Sequence, residues 1–308
     1  MKLFNRDKPR ICEAVPFIYD YARRSKRSDA YKRTYRCIAK KLEDYEKSRG
    51  VRVCSNTFTD SVAEDFIVFM KDKNLMLNTV SSDFDKLSFM FRKMCKRNYE
   101  VDWSFEDVRP GTEDTVNVSI TSEEIERIYH MPIRAKEREI VRDMFVANCL
   151  IGMRFGDFSK LTNDNIKNDF IFRKTKKTGE PVQVPIHRIV KEILDKYHGF
   201  PPYDKSQQNY NKIIKNICKQ AGITDKVLWE RTVGHKVVRK TYKRYELVSS
   251  HTARRSFATN AYLAGIQAAR IMLITGHKTE SSFFMYIKIA KSENAKELEN
   301  HPFFQKLP

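Results

Sequence analysis

The stretch Arg109-Pro110-Gly111-Thr112-Glu113-Asp114-Thr115 is polar and breaks the apolar periodicity on either side of it, so it reads as an interdomain linker within residues 109–118. A fresh start follows it. Thr121-Ser122-Glu123-Glu124 fits a capping box ahead of Ile125 and Ile128, the signature of a helix N-terminus. The break predicts two domains, residues 1–108 and 119–308.

Towards the N-terminus, residues 1 to about 108 read as all helix. Ser28 is placed to cap a helix carrying Tyr31, Tyr35, Ile38, Leu42 and Tyr45 at helical steps, with Gly50 as its stop. Its opposite face carries Lys32, Arg33, Arg36, Lys40 and Lys47. Two more helices are built on Val62, Phe66 and Phe69, and on Val80, Phe84, Leu87, Phe91 and Cys95. The second of these ends in Arg92, Lys93, Lys96 and Arg97. A basic helix face is usually a solvated face; several in one small domain also suit a DNA clamp.

Towards the C-terminus, helices alternate with a short β section. Phe170 and Phe172, then Val182, Val184 and Ile186, alternate like strands around Lys177-Thr178-Gly179-Glu180, a hairpin signal. Helices resume from Ile189 to Tyr197 and from Tyr210 to Gln220. A β-prone stretch runs from Val227 to Tyr242, and three or four helices complete the chain. The fold class is therefore mainly α with a small β section.

Composition narrows the chemistry. The 308 residues are 41% apolar, enough for real cores, and carry 58 Lys plus Arg against 39 Asp plus Glu, a formal charge of +19. An excess of that size attracts polyanions, of which nucleic acid is the commonest. Six scattered cysteines form no CxxC pair, so neither a zinc ribbon nor a disulfide framework is expected, and the natural home is a reducing cytoplasm. The sequence has no long apolar run and no signal-peptide pattern at Met1.

Four local features carry candidate chemistry, and each has a purely structural reading beside it. Arg154, in Gly152-Met153-Arg154-Phe155-Gly156-Asp157, sits at the end of the apolar run Met144 to Ile151; it could equally pair with Asp157. Lys177 lies on the hairpin beside Lys174 and Lys176, and such a run is often only solvated charge. His251 and Arg254, in His251-Thr252-Ala253-Arg254, share one helix face near a start capped by Ser249 or Ser250, where an anion is favoured; with Arg255 they also read as a basic helix start. Gly276-His277 precedes Tyr286 by nine residues, and Tyr286, among Phe283, Phe284 and Ile287, also reads as a core aromatic.

The ordered set changes the balance. Arg, hairpin Lys, His-x-x-Arg, Gly-His, then Tyr after nine residues resembles the active-site signature of the tyrosine recombinase (phage integrase) family, as found in integrases of bacterial mobile elements. The resemblance spans the chain: a helical core-binding domain, a linker and a catalytic domain. It implies that Arg154, Lys177, His251, Arg254 and His277 serve the reaction and that Tyr286 is the nucleophile, with Lys177 chosen because it directly precedes the Thr-Gly turn. It further implies site-specific cutting and rejoining of double-stranded DNA through a 3′-phosphotyrosyl link, without ATP, metal or other cofactor.

Self-assembly to a tetramer on two DNA sites, an accessory DNA-bending factor and a nucleoid location in the bacterial cytoplasm belong to the same expectation. Ala290, Ala295 and Leu298 fit a short helix, and Phe303 and Phe304 either dock on a neighbouring protomer or pack on their own domain. No arm-binding domain is expected before the core-binding helices, which begin almost at Met1. The competing readings are a type IB topoisomerase, a non-catalytic DNA-binding module and a basic RNA-binding protein; the last leaves the motif order unexplained.

Overall fold

The computed structural model of the chain describes residues 10–174 and 181–287, which fall into two compact units. The first comprises residues up to Thr115 together with Trp229–Lys240; the second comprises Val116–Leu228 and the chain from Thr241 onwards.

Four helices build the first unit: α1 (Ala14–Arg24), α2 (Asp29–Arg49), α3 (Asp60–Asp72) and α4 (Leu77–Cys95). The periodic residues read from the sequence are the ones that go inside, among them Tyr35, Ile38, Leu42, Phe66, Phe84 and Phe91. The Ser28 side chain caps α2 by accepting from the Tyr31 N–H, and Gly50 ends it in the left-handed region at φ +66°. The sequence reading had not separated α1 as an element; its buried residues Ala14, Val15, Phe17, Ile18 and Ala22 follow helical spacing.

The second unit opens with α5 (Ser122–His130), started by the Thr121 and Glu124 capping box, and α6 (Lys136–Ile151), which is buried almost all round. A single turn, α7 (Phe155–Phe158), leads into an antiparallel sheet of β1 (Ile166–Lys167), β2 (Phe170–Lys174) and β3 (Pro181–Pro185). β2 and β3 pair in the register Ile171↔Val184 and Arg173↔Val182. The residues this sheet buries are Ile171, Val182 and Val184, whereas Phe170 and Phe172 take the exposed face. Helices α8 (Arg188–Tyr197) and α9 (Gln207–Gln220) follow, then β4 (Lys226–Val233) and β5 (Lys236–Lys243). The unit closes with α10 (Arg244–Leu247), α11 (Ser250–Leu263), α12 (Ala268–Thr275) and α13 (Glu280–Ile287).

The β4–β5 hairpin differs from the sequence expectation, which placed it wholly in the second domain. Its Trp229–Lys240 portion belongs to the first unit. There Gly234 N–H donates to the Leu75 carbonyl at 3.0 Å, His235 pairs with Asp72 at 2.9 Å, and Thr232 N–H donates to the Glu113 carboxylate at 2.9 Å. Positive φ at Gly234 (+59°) makes this turn, and a Cβ there would meet the Lys71 carbonyl at 2.8 Å. No helix among the described residues is long and apolar enough to cross a membrane.

Candidate active site

Arg154 is placed by the end of α6. Gly152 terminates the helix at φ +76°, and a Cβ there would sit 2.2 Å from the Phe257 ring, so only glycine fits both the turn and the packing. Just inside the helix end, Asn148 is 1% exposed. Its side chain donates to the Met153 carbonyl and accepts from the Met153 N–H, both at 3.1 Å. This reciprocal pair fixes the path of the chain into Arg154.

His251 and Arg254 are placed by α11. Its N-terminus is anchored on α9: Ser250 N–H donates to Asn211 Oδ1 at 2.8 Å, and Gln207 Nε2 donates to the Ser250 hydroxyl at 2.6 Å. His251 lies exposed in the first turn. Arg254, one turn further, is 4% exposed and donates through Nη1 to the Gly152 carbonyl at 2.8 Å. Burial, the largest influence, lowers its proton affinity to a pKa of about 10, still far above neutrality. The segment that aims Arg154 is thus also the one that holds Arg254.

His277 and Tyr286 come from the last two described helices. Gly276 ends α12 at φ +62°, turning the chain so that His277 packs on Tyr286 with ring centroids 4.8 Å apart. The Thr275 hydroxyl donates to the Ile271 carbonyl at 2.9 Å and lies 2.8 Å from His277 Nδ1. With its proton committed, that hydroxyl can only accept, so Nδ1 carries the imidazole proton and Nε2 is left as an acceptor. Burial first, then the charges of Arg254 and Arg154, push the His277 pKa down to about 4, so the ring is neutral at physiological pH.

The Tyr286 hydroxyl donates to the main-chain carbonyl of His251 at 3.3 Å. Burial raises the phenol's pKa, while Arg254, Arg255 and Arg154 oppose that rise. Arg255, read from the sequence only as helix-start charge, donates through Nε to the Tyr286 carbonyl at 3.0 Å and lies over the tyrosine ring.

Five of the six predicted residues therefore converge. Lys177 lies outside the described residues, as do Lys176, Phe303 and Phe304. The strands that flank it end with Lys174 opposite Pro181. Asn148 was missed, although a lone amide in the apolar run Phe145-Val146-Ala147-Asn148-Cys149-Leu150 was a visible signal.

The decisive feature is an unmet demand. Among the described residues, Arg154 Nη1 and Arg254 Nη2 are both buried and have no hydrogen-bond partner. Buried donors are almost always satisfied, so two unpaired guanidinium nitrogens brought together from α11 and the start of α7 make a receptor for an oxyanion. Among the described residues, no cluster of three or more His, Cys, Asp or Glu side chains is arranged to hold a metal ion.

Comparison with known proteins places the family and the fold. The Phage integrase family profile matches residues 119–293, and that of the Phage integrase SAM-like domain matches residues 14–105. Among solved structures, the Tn1549 transposon integrase in complex with transposon right end DNA is similar at a TM-score of 0.69 and 15% identity, over 94% of this chain and 99% of that one. XerH recombinase bound to palindromic difH DNA gives 0.64 at 13% identity, over 93% and 94% of the two chains. The lambda integrase dimer bound to a COC′ core site gives 0.66 at 15% identity, over 89% and 94%. No curated protein sequence matches the chain.

The fold and site define a DNA strand transferase. The chain belongs to the phage integrase family and is a site-specific tyrosine recombinase.

Proposed function

We propose that Tyr286 is the nucleophile of this recombinase and that Arg154 and Arg254 bind the non-bridging oxygens of the scissile phosphate. The observation that carries this reading is the pair of buried, unpartnered guanidinium nitrogens beside the Tyr286 ring. A phosphodiester is a poor electrophile because it is anionic, and attack adds charge to those oxygens. Two preorganised forks that cannot lose their protons at neutral pH answer that charge where it develops.

In the step itself, the phenolic oxygen of Tyr286 bonds to phosphorus as the bond to the 5′ oxygen breaks. The phenol proton leaves to a nearby base, and the departing 5′ oxygen gains one. His251 at the α11 start serves as base or hydrogen-bond partner, His277 helps hold the phosphate, and Lys177 is the general acid. His277 is neutral in the DNA-free site, and a bound phosphate would supply the counter-charge that lets Nε2 take a proton and donate. The product is a 3′-phosphotyrosyl strand with a free 5′ hydroxyl. Attack by a 5′ hydroxyl reverses the chemistry and regenerates the enzyme, so no ATP is consumed.

Several finer readings accompany this one: residues 1–108 as a core DNA-binding domain joined through 109–118 to a catalytic domain, a tetramer on two DNA sites, an accessory DNA-bending factor, and service to a bacterial mobile element in the cytoplasm. The charge of +19 supports the DNA partner.

The test is a labelled duplex spanning the flanks of the gene, nicked so that the cleaved strand is trapped. Wild-type protein is expected to become attached to a 3′ end in an SDS-resistant adduct, and Tyr286→Phe to form none. An adduct that persists in Tyr286→Phe would show the nucleophile to be another residue.

A further inference from the structure

Arg254 and Arg255 are neighbours on α11, yet they address different targets. Arg254 reaches back to the Gly152 carbonyl. Arg255 reaches forward to α13, donating Nε to the Tyr286 carbonyl at 3.0 Å and setting its guanidinium carbon 4.7 Å from the Tyr286 ring centroid. It is 8% exposed, and among the described residues no carboxylate forms an ion pair with it. Burial strips a guanidinium of its hydration, and among the described residues the contact with Tyr286 offsets that cost. A helix staple alone could be made by a neutral donor. What a cation adds is attraction to the ring face, and this attraction grows when the phenol becomes a phenolate.

We infer that Arg255 is a positioning residue for the nucleophile: it grips the Tyr286 main chain and ring together and holds a positive charge against the phenol during attack. The inference rests on Tyr286 being the nucleophile. Two functions are combined in one side chain. The fork and its planar stacking set the direction of the ring, which lysine cannot reproduce, while the charge favours loss of the phenol proton, which lysine can supply.

The experiment measures single-turnover adduct formation on the nicked duplex across pH, with DNA affinity by fluorescence anisotropy. Arg255→Met is expected to slow adduct formation by about 10- to 100-fold, since misplacement of a reacting group costs on that order. Its DNA affinity should stay within about twofold, because Arg255 faces Tyr286 rather than contributing a free phosphate contact. The rising limb of its pH profile should move to higher pH as the opposing charge is lost. Arg255→Lys should restore the limb to near its wild-type position and yet remain at least about fivefold slow.

An Arg255→Met protein with wild-type rate and profile overturns the inference, as does a rate loss that tracks lost DNA affinity. If Arg255→Met does not fold, Arg255→Lys decides: a slow reaction with an unmoved limb supports the inference, and a wild-type rate overturns it. Tyr286→Phe in the same assay separates the two readings, since an adduct there would mean that the nucleophile, not Arg255, has been misassigned.

Discussion

The two arginines and the tyrosine stand on very different ground. Arg154 and Arg254 rest on the large core of the second unit, where Val141, Phe145, Ile171, Ile193, Ile214 and Ala253 are all within one buried cluster. His277 and Tyr286 pack on a separate small cluster whose buried members are Ala258, Ile271, Phe283 and Ile287. The difference teaches where rigidity is placed. Among the described residues, the two arginines proposed to meet the oxyanion are thus tied to the larger cluster and the proposed nucleophile to the smaller one, where fewer buried contacts resist local opening.

Removing the rigid half should have the largest effect on activity. Arg154→Ala and Arg254→Ala should each slow adduct formation by roughly a hundredfold or more, about 3 kcal/mol per lost oxyanion donor. The two should separate in thermal melts. Arg154→Ala should leave Tm unchanged or higher, because it deletes a buried unpartnered donor. Arg254→Ala should lower Tm, because the Gly152 carbonyl loses its partner. Equal melting shifts would contradict the distinction.

Next in size is the small cluster. Phe283→Ala removes a fully buried ring from a set with few other members, and its cost should fall in the range of about 3–5 kcal/mol. Hydrogen exchange should report this as local opening of α12 and α13 while α6 and α11 keep their protection. Uniform loss of protection would mean that the two clusters unfold as one, and the comparison would fail.

A smaller loss is expected at the hinge of the rigid half. Asn148→Ala leaves the Met153 N–H and carbonyl buried without their partner and should cost about 1–3 kcal/mol in urea unfolding. It should also slow adduct formation without weakening DNA binding, because it acts only through the path of Arg154.

The remaining effect concerns protons. In the folded protein the His277 pKa is depressed from 6.5 to about 4. The unfolded chain therefore binds this proton more readily, so stability from this group is present above pH 6.5 and is lost as pH falls towards 4. His277→Gln should melt with a weaker acid dependence across that window than wild type. An identical dependence would remove His277 from the account.

Much of this was legible beforehand, for identifiable reasons. Helix signals such as Ser28, Gly50 and the Thr121–Glu124 box are local, satisfied within a few residues of backbone, and so survive folding unchanged. Less legible was α1, which the sequence reading did not single out although its buried Ala14, Val15, Phe17, Ile18 and Ala22 follow helical spacing. The faces of β2 were also hidden: a reader of Phe170, Ile171 and Phe172 has no local reason to bury the isoleucine and expose both phenylalanines. That choice belongs to the register with Val182 and Val184.

By itself, the sequence determined that the chain carries a strong positive charge, that its periodicity breaks near residues 109–118, and in what order its candidate Arg, Lys, His and Tyr residues stand. Tertiary structure alone decided that Trp229–Lys240 packs with the first unit, that Arg254 reaches the Gly152 segment that leads into Arg154, and that Arg255 contacts the Tyr286 carbonyl and ring. The physical reason is common to all three. Order and spacing are properties of a line, whereas an unpaired donor, a cation over a ring or a borrowed hairpin is defined by what burial brings beside it.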